Sequence, residues 1–225
     1  MSVAVIADAH LGGPGGPAEP LVQQLGEIGA SGCRHLVLLG DLFHVWVGER
    51  RYETPEIRSV VAALRELREL GVQVDYIEGN RDFFIADGPY AEVFDHVGTE
   101  MQFAAAGRRY LAVHGDGMND QDHLYRFWHW LSKSLPSRFG MLHLPRRLAS
   151  RLVGVTERQL AKTNFKHKTD IPERVIRSYA ERRFQEGFDV LLLGHFHEAR
   201  QWSLENGEIR LLEAWFSSRR VEWFG

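Results

Sequence analysis

A single cysteine, Cys33, stands in a chain of 225 residues. One thiol excludes an intramolecular disulfide and fits a reducing compartment. It follows the turn at Ser31-Gly32 and reads as a small packing residue. No apolar run approaches the roughly 20 residues that a membrane-spanning helix needs. The first residues enter a strand pattern directly, without a basic segment and apolar stretch before it, so no secretory leader is expected. Internal repeats and low-complexity tracts are also missing. What remains is ordinary for a globular protein: 44% hydrophobic and 25% charged residues, enough for a sizeable core. One domain over residues 1–225 is expected, with a helical insertion at about 122–168.

The net charge of −3 conceals an asymmetry. Residues 126–183 carry 14 Lys and Arg against 4 Asp and Glu, whereas the rest of the chain carries 13 against 26. A basic stretch of this size faces something anionic, such as a phosphate-bearing substrate, an anionic membrane surface or nucleic acid, or else it is a solvated helical face. Its cations alternate with Leu, Phe and Trp rather than lining an open stacking groove, so nucleic acid is not the expected partner.

Hydrophobic patterning predicts an α/β chain. Residues 1–7, 36–39, 74–77, 110–113 and 190–193 read as strands, and 18–30, 55–70 and 172–186 as helices. Pro55 opens and Gly71 closes the second helix, whose Ile57, Val60, Val61, Leu64, Leu67 and Leu70 recur at helical spacing. A short helix is expected at 89–97, one hairpin around Gly107, and another, 199–204 with 208–216, around Asn206-Gly207. Within the insertion, Phe127, Trp128, Trp130 and Leu131 precede a break at Leu135-Pro136. Arg138, Arg146, Arg147 and Arg151 then alternate with apolar residues.

Five short motifs follow these strands: Asp8-Ala9-His10, Gly40-Asp41, Gly79-Asn80-Arg81-Asp82, Val113-His114-Gly115 and Gly194-His195-Phe196-His197. Taken singly, strand-end Asp and Asn often cap turns. Together they offer Asp8, His10, Asp41, Asn80, His114, His195 and His197 as metal ligands. Oxygen mixed with imidazole nitrogen suits Mn, Fe or Zn. Seven ligands exceed one tetrahedral ion and suffice for two ions sharing a carboxylate. Strand alternation predicts that Asp8 and His10 point the same way, and likewise His195 and His197. His35, His44, His96, His123, His129, His143 and His167 lie outside the motifs and read as structural or surface residues, with His44 and His123 nearest to them.

In this order the motifs resemble those of the calcineurin-like metallophosphoesterases, over nearly the whole chain. The resemblance implies a four-layer α/β/β/α sandwich and a dinuclear centre. Asp8, His10, Asp41 and His197 would hold one ion, and Asp41, Asn80, His114 and His195 the other. The runs Gly40-Asp41-Leu42-Phe43-His44-Val45-Trp46-Val47-Gly48 and Gly79-Asn80-Arg81-Asp82-Phe83-Phe84 are similar to one branch, the UDP-2,3-diacylglucosamine pyrophosphatases of lipid A synthesis. So are His114-Gly115-Asp116, Asp122 and Tyr125. Arg81 stands where most of the superfamily has His. That branch implies hydrolysis of a nucleotide-diphosphate lipid to UMP and 2,3-diacylglucosamine 1-phosphate, with two divalent cations, Mn2+ foremost. Asp41, Asn80, Arg81 and His114 would be catalytic, and Asn80, Arg81, Asp122, Tyr125, Asn164 and Lys166 would contact substrate. Lys162 and Lys168 lie in the same stretch. A lid over acyl chains and peripheral attachment to the cytoplasmic face of an anionic inner membrane are also implied. The chain departs from the branch at Phe196, where Thr is usual, at 117–122 and at 213–216. Another phosphodiester or nucleotide pyrophosphate substrate is the alternative. Oligomeric state is not legible.

Overall fold

A computed structural model describes residues 2–118, 127, 130–143 and 171–225. In chain order the elements are β1 (Val3–Ile6), α1 (Glu19–Ala30), β2 (His35–Leu39), β3 (Trp46–Val47), α2 (Pro55–Glu69), β4 (Gln73–Ile77), β5 (Asp82–Phe83), β6 (His96–Gly98), β7 (Glu100–Ala105), β8 (Arg108–Val113), α3 (Leu135–His143), α4 (Glu173–Gln185), β9 (Val190–Leu193), β10 (Arg200–Leu204), β11 (Gly207–Leu211), α5 (Trp215–Ser218) and β12 (Glu222–Phe224). Short apolar runs become parallel strands because both of their faces are covered. Local chemistry sets the ends of α2: the Thr54 hydroxyl accepts from the Ile57 N–H at 3.3 Å, Pro55 occupies the first turn, and Gly71 at φ +83° ends the helix.

Two five-stranded sheets result, ordered β12-β1-β2-β4-β6 and β10-β11-β9-β8-β7. Alternate residues of each strand then enter different cores. Ala4, Ile6, Leu36, Leu38, Val74 and Tyr76 pack with Leu21, Leu25, Val60 and Leu64 of α1 and α2. Val3, Val5, Val37, Leu39 and Ile77 meet Tyr110, Ala112, Val190 and Leu192 between the sheets. Leu111, Val113, Leu191 and Leu193 take the opposite side, against Ile176, Ala180 and Phe184 of α4. Helix, sheet, sheet, helix is the four-layer α/β/β/α sandwich. Cys33 is buried, with Sγ 3.3 Å from the His35 carbonyl. His35 itself pairs with Asp75 across β2 and β4 at 2.7 Å. No helix among the described residues is long and apolar enough to cross a membrane.

The structure differs from the sequence pattern in several places. Residues 89–97 are not an α-helix: a 3-10 turn at Ala91–Val93 leads into β6, an added edge strand beside β4. The closing hairpin ends at Leu211, and Trp215–Ser218 is helical, because Ala214, Trp215 and their neighbours turn back beneath β1. β12 and the β3–β5 pair, of three and two residues per strand, have no counterpart in the sequence pattern. Pro136 lies in the first turn of α3, where its missing N–H costs nothing. Most of the insertion expected at 122–168 lies outside the described residues. Of its bulky side chains, Phe127, Trp130 and Phe139 are exposed rather than in the core.

Trp46 anchors the outer core, fully buried among Phe43, Tyr76, Tyr90 and Phe94. Its indole N–H meets no acceptor among the described residues. Trp46→Ala is therefore expected to cost about 3–5 kcal/mol in chemical denaturation, and Trp46→Phe clearly less.

Candidate metal centre

Every site side chain leaves the carboxyl end of a strand. Asp8 and His10 follow β1, Asp41 follows β2, and Asn80 and Arg81 follow β4. These three strands are neighbours in one sheet. His114 follows β8, and His195 and His197 follow β9, neighbours in the other sheet. The backbone at five of these positions is left-handed: Asp8 (φ 53°), His10 (46°), Asp41 (50°), His195 (66°) and His197 (60°). For residues with a Cβ each such conformation costs on the order of 1 kcal/mol or more and survives only where surroundings enforce it. Here hydrogen bonds between turns do so: Asp8 N–H to the Gly40 carbonyl (3.2 Å), His10 N–H to the Asp41 carbonyl (3.0 Å) and His195 N–H to Asp8 Oδ2 (2.8 Å).

Strand alternation therefore does not govern these residues. β1 and β9 end before the motifs, at Ile6 and Leu193. His195 and His197 diverge. The His195 ring lies 5.2 Å from that of His114, whereas the His197 ring lies 5.0 Å from that of His10.

The donor atoms of Asp8, His10 and His197 all lie within 4.8 Å of one another, as do those of Asp8, Asp41 and His114. Nε2 of His10 and Nε2 of His197 are 3.1 Å apart, and His197 Nε2 is 3.2 Å from Asp8 Oδ1. On the other side, His114 Nε2 is 3.3 Å from Asn80 Oδ1. Asp41 Oδ2 lies between the two halves, 3.9 Å from His10 Nε2 and 3.7 Å from His114 Nε2. Ligands at about 2.1 Å from one ion are separated by roughly 3.0–3.4 Å, so these spacings fit divalent cations. The electrostatics fit as well. Burial and the neighbouring charge of Asp8 push the Asp41 carboxyl up. Asp8 is also raised by burial, but the His197 hydrogen bond and nearby imidazoles outweigh this and hold it far below the carboxylate range. Burial alone would lower His114; the Asp41 and Asp8 charges carry it up to about 9. Two fully buried acids facing each other call for positive charge.

Glycines permit this crowding. A Cβ at Gly79 would strike Asp41 Oδ1 and His114 Nε2, and one at Gly194 would stand 2.7 Å from Asp8 Oδ2. Asp82, absent from the ligand set expected from sequence, has a separate function. Its Oδ2 accepts from the N–H of Asp41 (3.0 Å) and of Gly79 (2.8 Å), joining the turns that carry Asp41 and Asn80. Burial and the Asp41 charge push its carboxyl up to about 7. The signal for Asp82 was its place inside the Gly-Asn-Arg-Asp run.

Arg81 is half-buried beside the centre. Its N–H donates to Asp41 Oδ1 (2.9 Å), and its guanidinium to the His44 carbonyl (3.1 Å). His44 thus joins the site, its ring 6.4 Å from that of His10. Phe216, which no motif marked, stands edge-on to His10 and His197 at 5.5 and 5.1 Å. Phe196 turns away into the apolar layer against α4 while its ring flanks His195. Asp122, Tyr125, Lys162, Asn164, Lys166, Lys168 and His123 lie outside the described residues.

Known proteins are similar to this chain. The calcineurin-like phosphoesterase family model matches residues 1–199. A protein of Stenotrophomonas maltophilia (strain K279a) named UDP-2,3-diacylglucosamine hydrolase is 28% identical over 228 residues, covering 92% of this chain and 86% of that one. One of the same name from Ralstonia nicotianae (strain ATCC BAA-1114 / GMI1000) is 32% identical over 152 residues, covering 67% of this chain and 56% of that one. A solved hypothetical protein from Pyrococcus horikoshii OT3 superposes with a TM-score of 0.51 at 12% identity, covering 99% of this chain and 86% of that one, a likeness of fold alone. With the motifs, the four-layer fold and a family match over residues 1–199 all in agreement, the chain belongs to the calcineurin-like phosphoesterases.

Proposed function

We propose that this chain hydrolyses the pyrophosphate of UDP-2,3-diacylglucosamine to UMP and 2,3-diacylglucosamine 1-phosphate. The observation that carries this reading is Arg81 beside the convergence of Asp8, His10, Asp41, His114 and His197, with Asn80 and His195 against His114. The relatives' names point to the same substrate. Asp8, His10, Asp41 and His197 would hold one divalent cation, and Asp41, Asn80, His114 and His195 a second, with Mn2+ the first candidate. Such a pair supplies a clamp for phosphoryl oxygens and lowers the pKa of water.

The chain's own groups do the rest. Asp41 presents one carboxylate oxygen to both halves of the site. Asn80 contributes a neutral amide oxygen. Arg81 offers a planar, permanently charged fork that suits a second phosphate and is a poor proton donor. A phosphate leaving group needs less acid help than an alkoxide, so Arg in place of His agrees with pyrophosphate cleavage. Asp122, Tyr125, Asn164 and Lys166 would add substrate contacts. The exposed Phe127, Trp130 and Phe139, in a stretch rich in cations, suit acyl chains and an anionic bilayer surface. Peripheral attachment to the cytoplasmic side of the inner membrane follows as part of this reading.

Purified protein loaded with Mn2+ is expected to release UMP from UDP-2,3-diacylglucosamine. Turnover of a simple phosphodiester with none of the lipid would instead keep the metal chemistry and reject the substrate. Asp41→Ala is expected to lower activity by more than the roughly hundredfold typical of losing an outer-shell partner. Its fold should persist by circular dichroism, since the change removes a strained buried acid. Metal loading should also release protons at pH 7. The metal-free His114 holds its proton up to about 9, and an incoming cation must displace it. Affinity therefore falls as pH drops below that value. Calorimetry in two buffers of different ionisation heat reads the proton release, and identical heats would contradict it.

A further inference from the structure

A lysine outside all five motifs reaches into the centre from the stretch assigned by sequence to the insertion. Lys133 follows the helical residues 130–132, and its Nζ donates to the Gly79 carbonyl at 3.0 Å. The same ammonium stands 4.0 Å from Glu78 Oε2. Its side chain is only 18% exposed, so the contact is shielded from solvent.

Gly79 needs such a contact. It carries no side chain because a Cβ would strike Asp41 and His114, yet a glycine has the freest backbone of any residue. The peptide leading to Asn80 must therefore be held from outside. Asp82 takes the Gly79 N–H at 2.8 Å, and Lys133 takes the Gly79 carbonyl. An anion and a cation grip the two sides of one flexible residue immediately before Asn80. Glu78 is fixed in turn, its Oε1 accepting from the Ile85 N–H at 2.8 Å.

The base of the lysine is rigid too. Ser134 and Ser137 hydroxyls donate to the Leu131 carbonyl at 2.7 and 2.6 Å, closing the turn that carries Lys133. α3 follows at once and docks on the domain. Arg138 donates to the Asp87 carbonyl at 2.7 Å and lies 3.4 Å from Glu49 Oε1, and Arg51 reaches back to the Leu142 carbonyl. The loops it grips, around Glu49 and Asp87, flank the β3–β5 pair that leads away from Asp41 and Asn80.

We propose that Lys133 is a positioning residue: by holding the Gly79 carbonyl it sets where the Asn80 amide oxygen sits, and it thereby couples the seating of residues 130–143 to the Asn80–His114 half of the candidate metal centre. The inference rests on the two-ion reading above and adds to it a residue of the insertion that acts through the backbone.

The test is a Mn2+ titration of metal-free wild type, Lys133→Met and Asn80→Ala, read by calorimetry and by electron paramagnetic resonance. Lys133→Met is expected to bind one ion as wild type does and the second about tenfold more weakly, as for loss of an outer-shell partner. Its kcat should fall while KM holds, and its metal-free denaturation midpoint should stay unchanged. Lys133→Arg, which keeps a cationic donor, should recover the second ion. Wild-type affinity for both ions in Lys133→Met would overturn the proposal. So would equal weakening of both ions together with a lowered metal-free midpoint, which marks a merely structural role. If Asn80→Ala loses the second ion and Lys133→Met does not, the coupling alone fails. If Asn80→Ala retains both ions at wild-type affinity, the two-ion reading fails and the role of Lys133 falls with it.

Discussion

Two carboxylates, Asp8 and Asp41, are buried face to face at the ends of adjacent parallel strands. Such a pair is unfavourable in a medium with little water unless positive charge lies between and around the acids. The imidazoles of His10, His114 and His197 supply partial compensation. A divalent cation supplies far more. The fold bears the strain of this arrangement at many places, in left-handed turns at five candidate ligand positions and in the close approach of Gly79 and Gly194 to the acids. These costs are tolerable because the strands behind them are buried on both faces and cannot shift. Two sheets, each sealed by helices, hold the turns where they are.

Around that nucleus the polar contacts form connected chains. Asp82 joins the Asp41 turn to the Gly79 turn, and Arg81 ties Asp41 to His44. Lys133 adds a contact from beyond the motifs. Asp82 and Lys133 grip backbone groups of the turns that carry Asp41 and Asn80, whereas the Arg81 guanidinium stands at the edge of the site. The same design explains how Phe196 sits between the two histidines without displacing either. Its side chain enters the apolar layer under α4, while the left-handed backbone at His195 and His197 aims both rings back at the centre.

Much of the fold was legible because the strands are short apolar runs punctuated by glycine and aspartate, and because α2 carries its own start and stop. Elements that depend on distant partners were not. β6 exists only because its backbone completes the edge beside β4, and nothing in His96-Val97-Gly98 marks a strand. β12 likewise forms by pairing with β1 from the far end of the chain. The turn at Trp215 follows from packing beneath β1, where local alternation suggested a continued strand. Most of the inserted segment lies outside the described residues, and the contacts expected of Asp122, Tyr125, Asn164 and Lys166 with it.

The identity and order of the candidate ligands were determined by sequence alone, since the motifs repeat one rule: an acid, amide or imidazole directly after a strand. The resemblance already implied that His195 and His197 serve different ions, but the physical reason for their parting lies in the tertiary structure. Spacing within a strand predicts that His195 and His197 share a side. The left-handed backbone instead turns one towards His114 and the other towards His10. Backbone handedness at a turn depends on hydrogen bonds from other turns, here from Gly40, Asp41 and Asp8. The contact of Lys133 with the Gly79 carbonyl has no mark in the sequence for a like reason: what it holds is a glycine backbone, which has no side chain to signal the need.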